Sequence, residues 1–184
     1  MTVESYLEFD TCFHLEYSSS ITSFIAQPEG FIYHLDEQDL PYTPDFQIVE
    51  NDTAKWIEVK PFAKPLNPDF LHRFKAKQEK AQKLGTPLIL VTEKQIRVNP
   101  VLNNLKILHR YSGFQSLTDL HFQLLSLVKT VGEISVSDAA NQLGIDKSLM
   151  VKSAFSLVSS GMLTVNLVNE ELGLHSIVWS EENG

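Results

Sequence analysis

The chain has 184 residues, 43% apolar and 21% charged, a balance that excludes a disordered protein and leaves core for one medium domain or a larger domain plus a small one. Its net charge of −8 argues against strong independent nucleic-acid binding, and its single cysteine, Cys12, excludes an intramolecular disulfide and a cysteine-based zinc site. No window approaches the roughly 20 apolar residues of a membrane span, and the opening MTVESYLEFD lacks the basic flank and apolar run of a signal peptide, so a cytoplasmic placement and no membrane partner are expected.

The opening ESYLEFDTCFHLEY puts Tyr6, Phe9, Phe13 and Tyr17 at helical spacing, which predicts a first helix with one aromatic face and with Glu4 and Glu8 one turn apart on another. Four short extended runs follow, ITSFIAQ, FIYHL, PDFQIV and AKWIEVK, separated by turn-formers such as PEG and END, and read as an antiparallel meander. NPDFLHRFKAKQEKAQKLG has Asn67 as N-cap, Pro68 in the first turn and Gly85 just past the end, a helix signature. PLILV reads as a buried strand, and NPVLNNLKILHRYSG as another helix opened by Asn-Pro. This order predicts an α/β core in which helices flank a mixed β-sheet.

Near YSGFQS the composition turns acidic and lysine-poor. Residues 1–113 hold 12 Lys/Arg against 15 Asp/Glu, whereas residues 114–184 hold 3 against 8, so a domain boundary is expected between 113 and 114. The tail reads as helices over LTDLHFQLLSLVKTVG, over SVSDAANQLG with its Gly144 stop, and over DKSLMVKSAFSLVSSG between Asp146 and Gly161. MLTVNLVNEELGLHSIVW then alternates on both sides of a turn. Three helices with a short turn between the last two, followed by a hairpin, predict a small winged helix-turn-helix domain.

The chemistry concentrates in YTPDFQIVENDTAKWIEVKP. If Asn51 and Asp52 form the loop, Asp45 pairs directly across from Glu58, Lys60 points to the same side, and Phe46, Ile48, Ile57 and Val59 fall on the opposite, buried face. Two opposed carboxylates are destabilising unless something positive lies between them. A divalent cation satisfies that requirement, since Mg²⁺ takes one or two carboxylates plus substrate phosphates and helps to generate a hydroxide nucleophile. A solvated face on which Lys60 offsets the two acids satisfies it equally. Glu8 offers a third acid, although Ser5-Tyr6-Leu7-Glu8 also fits a capping box, and Glu4 and Glu16 compete with it. Arg73, Lys77 and Lys80 share a helical face suited to a phosphate backbone, or form an ordinary solvated stripe. The histidines show no ligand spacing, and no Gly-rich phosphate loop or G-x-S-x-G turn occurs.

Pro44-Asp45 followed by Glu58-x-Lys60 resembles the PD-(D/E)xK nuclease superfamily. Together with ESYLEFDTCFHLEY, ITSFIAQPEGFIY, PLILVTE and NPVLNNLKILHRY, the pattern over roughly residues 4–112 resembles the TnsA family of transposon-end endonucleases, with a TnsA-like winged helix covering the remainder. The resemblance implies a restriction-endonuclease-like fold. It places Glu8 as the helix acid, Asp45 as the central metal ligand, Glu58 as the second carboxylate, Lys60 as the catalytic lysine and Gln27 of AQPE as a positioning residue. It also implies Mg²⁺, with Mn²⁺ as a substitute, and a bacterial heteromeric transposase. In that assembly this subunit cuts the 5′ strands at transposon ends, a TnsB-like integrase-fold partner cuts and joins the 3′ ends, and the tail docks a TnsC-like ATPase. Some TnsA proteins carry glutamine where this chain has Glu58. The alternatives are a stand-alone restriction- or repair-type nuclease, a catalytically silent assembly factor, and a winged-helix regulator with an unrelated front domain.

Overall fold

The computed structural model describes residues 4–113 and 116–181, and the chain divides into two units, Met1–Val98 and Asn99–Gly184. That division precedes the 113/114 boundary suggested by composition, and Phe114 and Gln115 lie outside the described residues.

The first unit runs α1 (Tyr6–Glu16), β1 (Ile21–Ala26), β2 (Phe31–Leu35), β3 (Gln38–Tyr42), β4 (Phe46–Glu50), β5 (Thr53–Val59), α2 (Pro68–Lys83), β6 (Leu88–Val91) and a short α3 (Glu93–Ile96). Its main sheet has the order β1-β4-β5-β6. The β1–β4 and β4–β5 pairs are antiparallel and β5–β6 is parallel, with α2 as the crossover that a parallel pair requires. The mixed, helix-flanked sheet is as expected, but the simple meander is not formed: β2 and β3 close a separate two-stranded hairpin. Pro41 hides β3 from a strand rule, because proline is at home only on edges and ribbons. Both hairpin turns use positive φ at their two central residues, Asp36 and Glu37 at +48° and +63°, Asn51 and Asp52 at +47° and +61°, the handedness that matches strand twist.

The two faces of this sheet bury different things. Phe46, Ile48, Ile57 and Val59 pack with Leu15 of α1 and Ile96 of α3. Trp56 and Leu88 pack on the other face with Phe74 and Ala81 of α2, and Phe31 and Tyr42 of the small hairpin join them. Helix α2 is capped as expected, Asn67 Oδ1 accepting from the Asp69 and Phe70 amides, and it ends before Gly85 at φ +81°. Helix α1 departs from its aromatic-face reading. Tyr6 and Phe9 are 86% and 51% exposed, while Glu8, Asp10 and Phe13 are buried. Asp10 is drawn inward by Arg97, which donates to it at 2.8 Å.

The second unit runs α4 (Val101–Tyr111), α5 (Asp119–Val131), β7 (Glu133–Ser135), α6 (Val136–Leu143), α7 (Lys147–Ser159), β8 (Thr164–Val165) and β9 (Ile177–Trp179). The three strands form one sheet in the order β7-β9-β8, shorter than the hairpin pattern suggests. Helix α4 belongs here because Asn104, fully buried, donates to Leu167 O and Glu170 O and accepts from Leu172 N–H at 2.8–2.9 Å. Helix α7 is central, with residues 153–157 all buried.

His121 locks the start of α5. Its Nδ1 accepts from the Thr118 amide at 3.0 Å, which leaves Nε2–H to donate to Ser156 Oγ at 2.8 Å. Protonation of Nδ1 would set two donors against each other, and burial already lowers the imidazole pKa from its ordinary value. With the native pKa below the unfolded one, this contribution to stability is complete above the unfolded value of 6.5 and is lost as pH falls through the native value. The urea midpoint is expected to drop as pH falls below the unfolded value of 6.5. His121→Gln, which supplies the usual capping-box side chain, is expected to flatten that drop; an equal slope in both proteins would refute the assignment.

Candidate active site

Asp45 enters from the loop between β3 and β4 with its backbone held on both sides. Its amide donates to Ile57 O at 3.0 Å, and its carbonyl accepts from Gln27 N–H at 2.9 Å. The β4–β5 ladder runs from Glu50↔Thr53 to Phe46↔Ile57, the register that an Asn51-Asp52 turn dictates; Asp45 lies at a bend one residue before it, where its amide meets Ile57 O instead of continuing the ladder to Glu58. Side chains alternate across a strand. With Ile57 and Val59 in the α1-side core, Glu58 must face the α2 side alongside Trp56.

Lys60 joins the two carboxylates. Its Nζ lies 3.1 Å from Asp45 Oδ2 and 3.7 Å from Glu58 Oε1. Asp45 Oδ2 also accepts from the Val59 amide at 2.6 Å, while Oδ1 has no protein hydrogen bond among the described residues. The side chain of Glu58 is 3% exposed, that of Asp45 18% and that of Lys60 30%, so solvent reaches the site from the Asp45 and Lys60 side.

Two further residues complete the surroundings of Glu58. Tyr42 donates its phenol to Oε2 at 3.0 Å. Burial first, then the neighbouring carboxylate, push the Tyr42 pKa far above the usual phenol range, so it stays a neutral donor. Lys77 of α2 donates to both Glu58 oxygens, at 3.1 and 3.2 Å, and sits 4.0 Å above the centre of the Tyr42 ring.

Lys77 therefore does not lie free on a solvent face with Arg73 and Lys80. Arg73 is exposed and Lys80 half-buried, but Lys77 turns into the site with its side chain 14% exposed. The sequence carries a signal for this: Phe70, Phe74, Lys77 and Ala81 recur at i, i+4, i+7 and i+11, so the lysine interrupts the core stripe of α2. Tyr42 has no such local signal.

Glu8 is engaged elsewhere. Its Oε1 accepts from Ser5 Oγ at 2.8 Å and its Oε2 from the Glu4 amide at 2.9 Å, while its own amide donates to Ser5 Oγ, a cap close to the box that the sequence permits but with the Glu4 rather than the Ser5 amide taken up. Among the described residues no group of three or more His, Cys, Asp or Glu is placed to hold a metal, so Glu8 is not gathered with Asp45 and Glu58. Glu4 and Glu16 are exposed. Gln27 is exposed with φ +48° at the end of β1; its backbone holds Asp45 in place.

The donor set is made of oxygens. Two carboxylates, one of them with an uncommitted oxygen, fit a hard divalent cation that keeps most of its water. Lys60 is close enough to orient a water or to offset charge developing on a phosphate.

The family model described as TnsA-like endonuclease, N terminal, matches residues 18–93. That span contains Gln27, Tyr42, Asp45, Glu58, Lys60 and Lys77, but not Glu8. No curated protein matches the chain. The match over 18–93, enclosing the Asp45, Glu58 and Lys60 constellation, supports a TnsA-like nuclease related to transposition.

Proposed function

We propose that this chain is a Mg²⁺-dependent DNA endonuclease subunit of a heteromeric transposase, which hydrolyses the 5′, non-transferred strands at transposon ends. The observation that carries this reading is the meeting of Asp45, Glu58 and Lys60 on one side of the β4–β5 hairpin, inside the matched span. Asp45 and Glu58 would hold Mg²⁺, which supplies Lewis-acid activation of the phosphodiester and of the attacking water. Lys60 orients the water and offsets charge on the phosphate, the Val59 amide fixes the Asp45 carboxylate, and Tyr42 fixes Glu58. Arg73 and Lys80 on α2 contact the DNA backbone.

The acidic second unit is read as a winged-helix domain that docks a TnsC-like ATPase, and a TnsB-like integrase-fold partner supplies 3′-strand chemistry and end recognition. Two observations favour protein docking over DNA reading. The burial of residues 153–157 in α7 and the presence of only Lys147 and Lys152 as its cations leave little surface for phosphates or bases.

Calorimetric titration with Mn²⁺ tests the ligand set. Asp45→Asn is expected to remove the binding. Glu8→Gln is expected to keep it within about threefold, an energy change below about 1 kcal/mol, because both Glu8 oxygens are committed to the α1 cap. Binding that survives in Asp45→Asn contradicts the site, and loss of binding in Glu8→Gln brings Glu8 into it.

A further inference from the structure

The ammonium of Lys77 occupies the most buried acid of the site. The two carboxylates, Asp45 and Glu58, meet two ammonium groups, Lys60 and Lys77, so the four formal charges cancel. A divalent cation added to that balance would leave two surplus positive charges around a side chain that is 3% exposed. Such an excess is strongly unfavourable away from water. Binding therefore requires one ammonium to leave, and the two lysines are not equivalent. Lys60 lies against both carboxylates. Among the described residues Lys77 pairs with Glu58 only, through both of its oxygens, and its flexible stem comes from a separate element, α2.

We propose that Lys77 is a displaceable stand-in for the divalent cation: it neutralises Glu58 in the metal-free protein, yields that carboxylate when the cation binds, and then pairs with a backbone phosphate of the DNA substrate. This rests on the metal site proposed above and adds a regulation to it. The phosphate that receives Lys77 lowers the penalty for its release, so metal and DNA backbone each strengthen binding of the other, as linkage requires. In the absence of DNA the cation is held weakly, which restrains cutting until substrate is in place. The Tyr42 ring, 4.0 Å from Nζ, gives the displaced chain a cation–π neighbour near its starting point.

The wild-type protein tests this without a mutation. Amine acylation read by mass spectrometry is expected to modify Lys77 several-fold faster with saturating Mn²⁺ than without, because a lysine freed from a buried ion pair becomes reactive; Lys75, exposed on α2, is expected to be unaffected. Calorimetry with Mn²⁺ gives the second arm. Lys77→Met is expected to bind Mn²⁺ on the order of tenfold more tightly than wild type, through loss of the competing charge. Lys77→Gln, which retains a hydrogen-bond donor for Glu58, is expected to do the same if the methionine variant folds poorly. If the wild type binds Mn²⁺ through Asp45 while Lys77 labelling stays constant and neither variant binds more tightly, the displacement is overturned and the metal site stands. If the folded wild type binds no Mn²⁺, both are overturned.

Discussion

Lys60→Ala is expected to lower 5′-strand cleavage on the order of 10²–10³-fold, the usual loss when one positioned donor is removed from a reacting phosphate or carbonyl. The magnitude follows from its place. Lys60 is the most solvent-open member of the constellation, 30% exposed, and its Nζ already stands within 4 Å of both carboxylates. Glu58→Ala is expected to lose at least as much, with an added loss of stability, because Lys77 would keep a largely buried ammonium without its carboxylate. Circular dichroism and urea unfolding on the same preparations separate these effects. Cleavage that persists in a folded Lys60→Ala protein would contradict the role assigned to Lys60.

Asn104→Leu is expected to destabilise the second unit by about 3 kcal/mol, at roughly 1 kcal/mol for each of three stranded backbone groups. The substitution keeps the branched heavy-atom skeleton, though leucine is the bulkier side chain, and leaves Leu167 O, Glu170 O and Leu172 N–H without their partner. These groups belong to the segment between β8 and β9, so the variant is also expected to expose that segment to proteolysis. Urea denaturation reads the first effect and limited digestion the second. A loss below about 1 kcal/mol would show that water replaces the amide without strain.

The elements resting on local chemistry are legible in the sequence. The Asn51-Asp52 turn fixes the β4–β5 register, and the period of two then divides Phe46, Ile48, Ile57 and Val59 from Glu58, while Asp45, at a bend just before β4, reaches the site through its contacts with Val59 N–H and Lys60. Asn67, Pro68 and Gly85 mark α2 for the same reason. What the sequence leaves ambiguous depends on partners far along the chain. Asp10 and Glu8 turn inward in α1 at the expense of Tyr6 and Phe9, in part because Arg97 meets Asp10. Tyr42 reaches Glu58 only after the β2–β3 hairpin has packed beside Trp56, against which Phe31 stacks at 4.9 Å. The acidic shift near residue 113 marks a change in surface composition, whereas the unit division follows Asn104, whose partners are more than sixty residues away.

Lys77 illustrates how one periodicity supports two readings. Residues 73, 77 and 80 form a basic stripe; residues 70, 74, 77 and 81 form an apolar stripe with one lysine in it. The second stripe faces the sheet, because Phe74 and Ala81 are its buried members, and the lysine there must find an acid. Glu58 is that acid, so the same pairing that hides Lys77 from a surface reading ties α2 to the hairpin chemistry.

The most direct measurement is strand-resolved cleavage. DNA carrying a transposon end, labelled separately on each strand, is incubated with Mg²⁺ and the partner transposase and ATPase, with wild-type chain or Asp45→Asn. The expected result is a 5′-strand product with the wild type and none with Asp45→Asn, while 3′-strand cutting remains in both. A 5′-strand product of equal yield from folded Asp45→Asn would contradict the assignment of cleavage to this site.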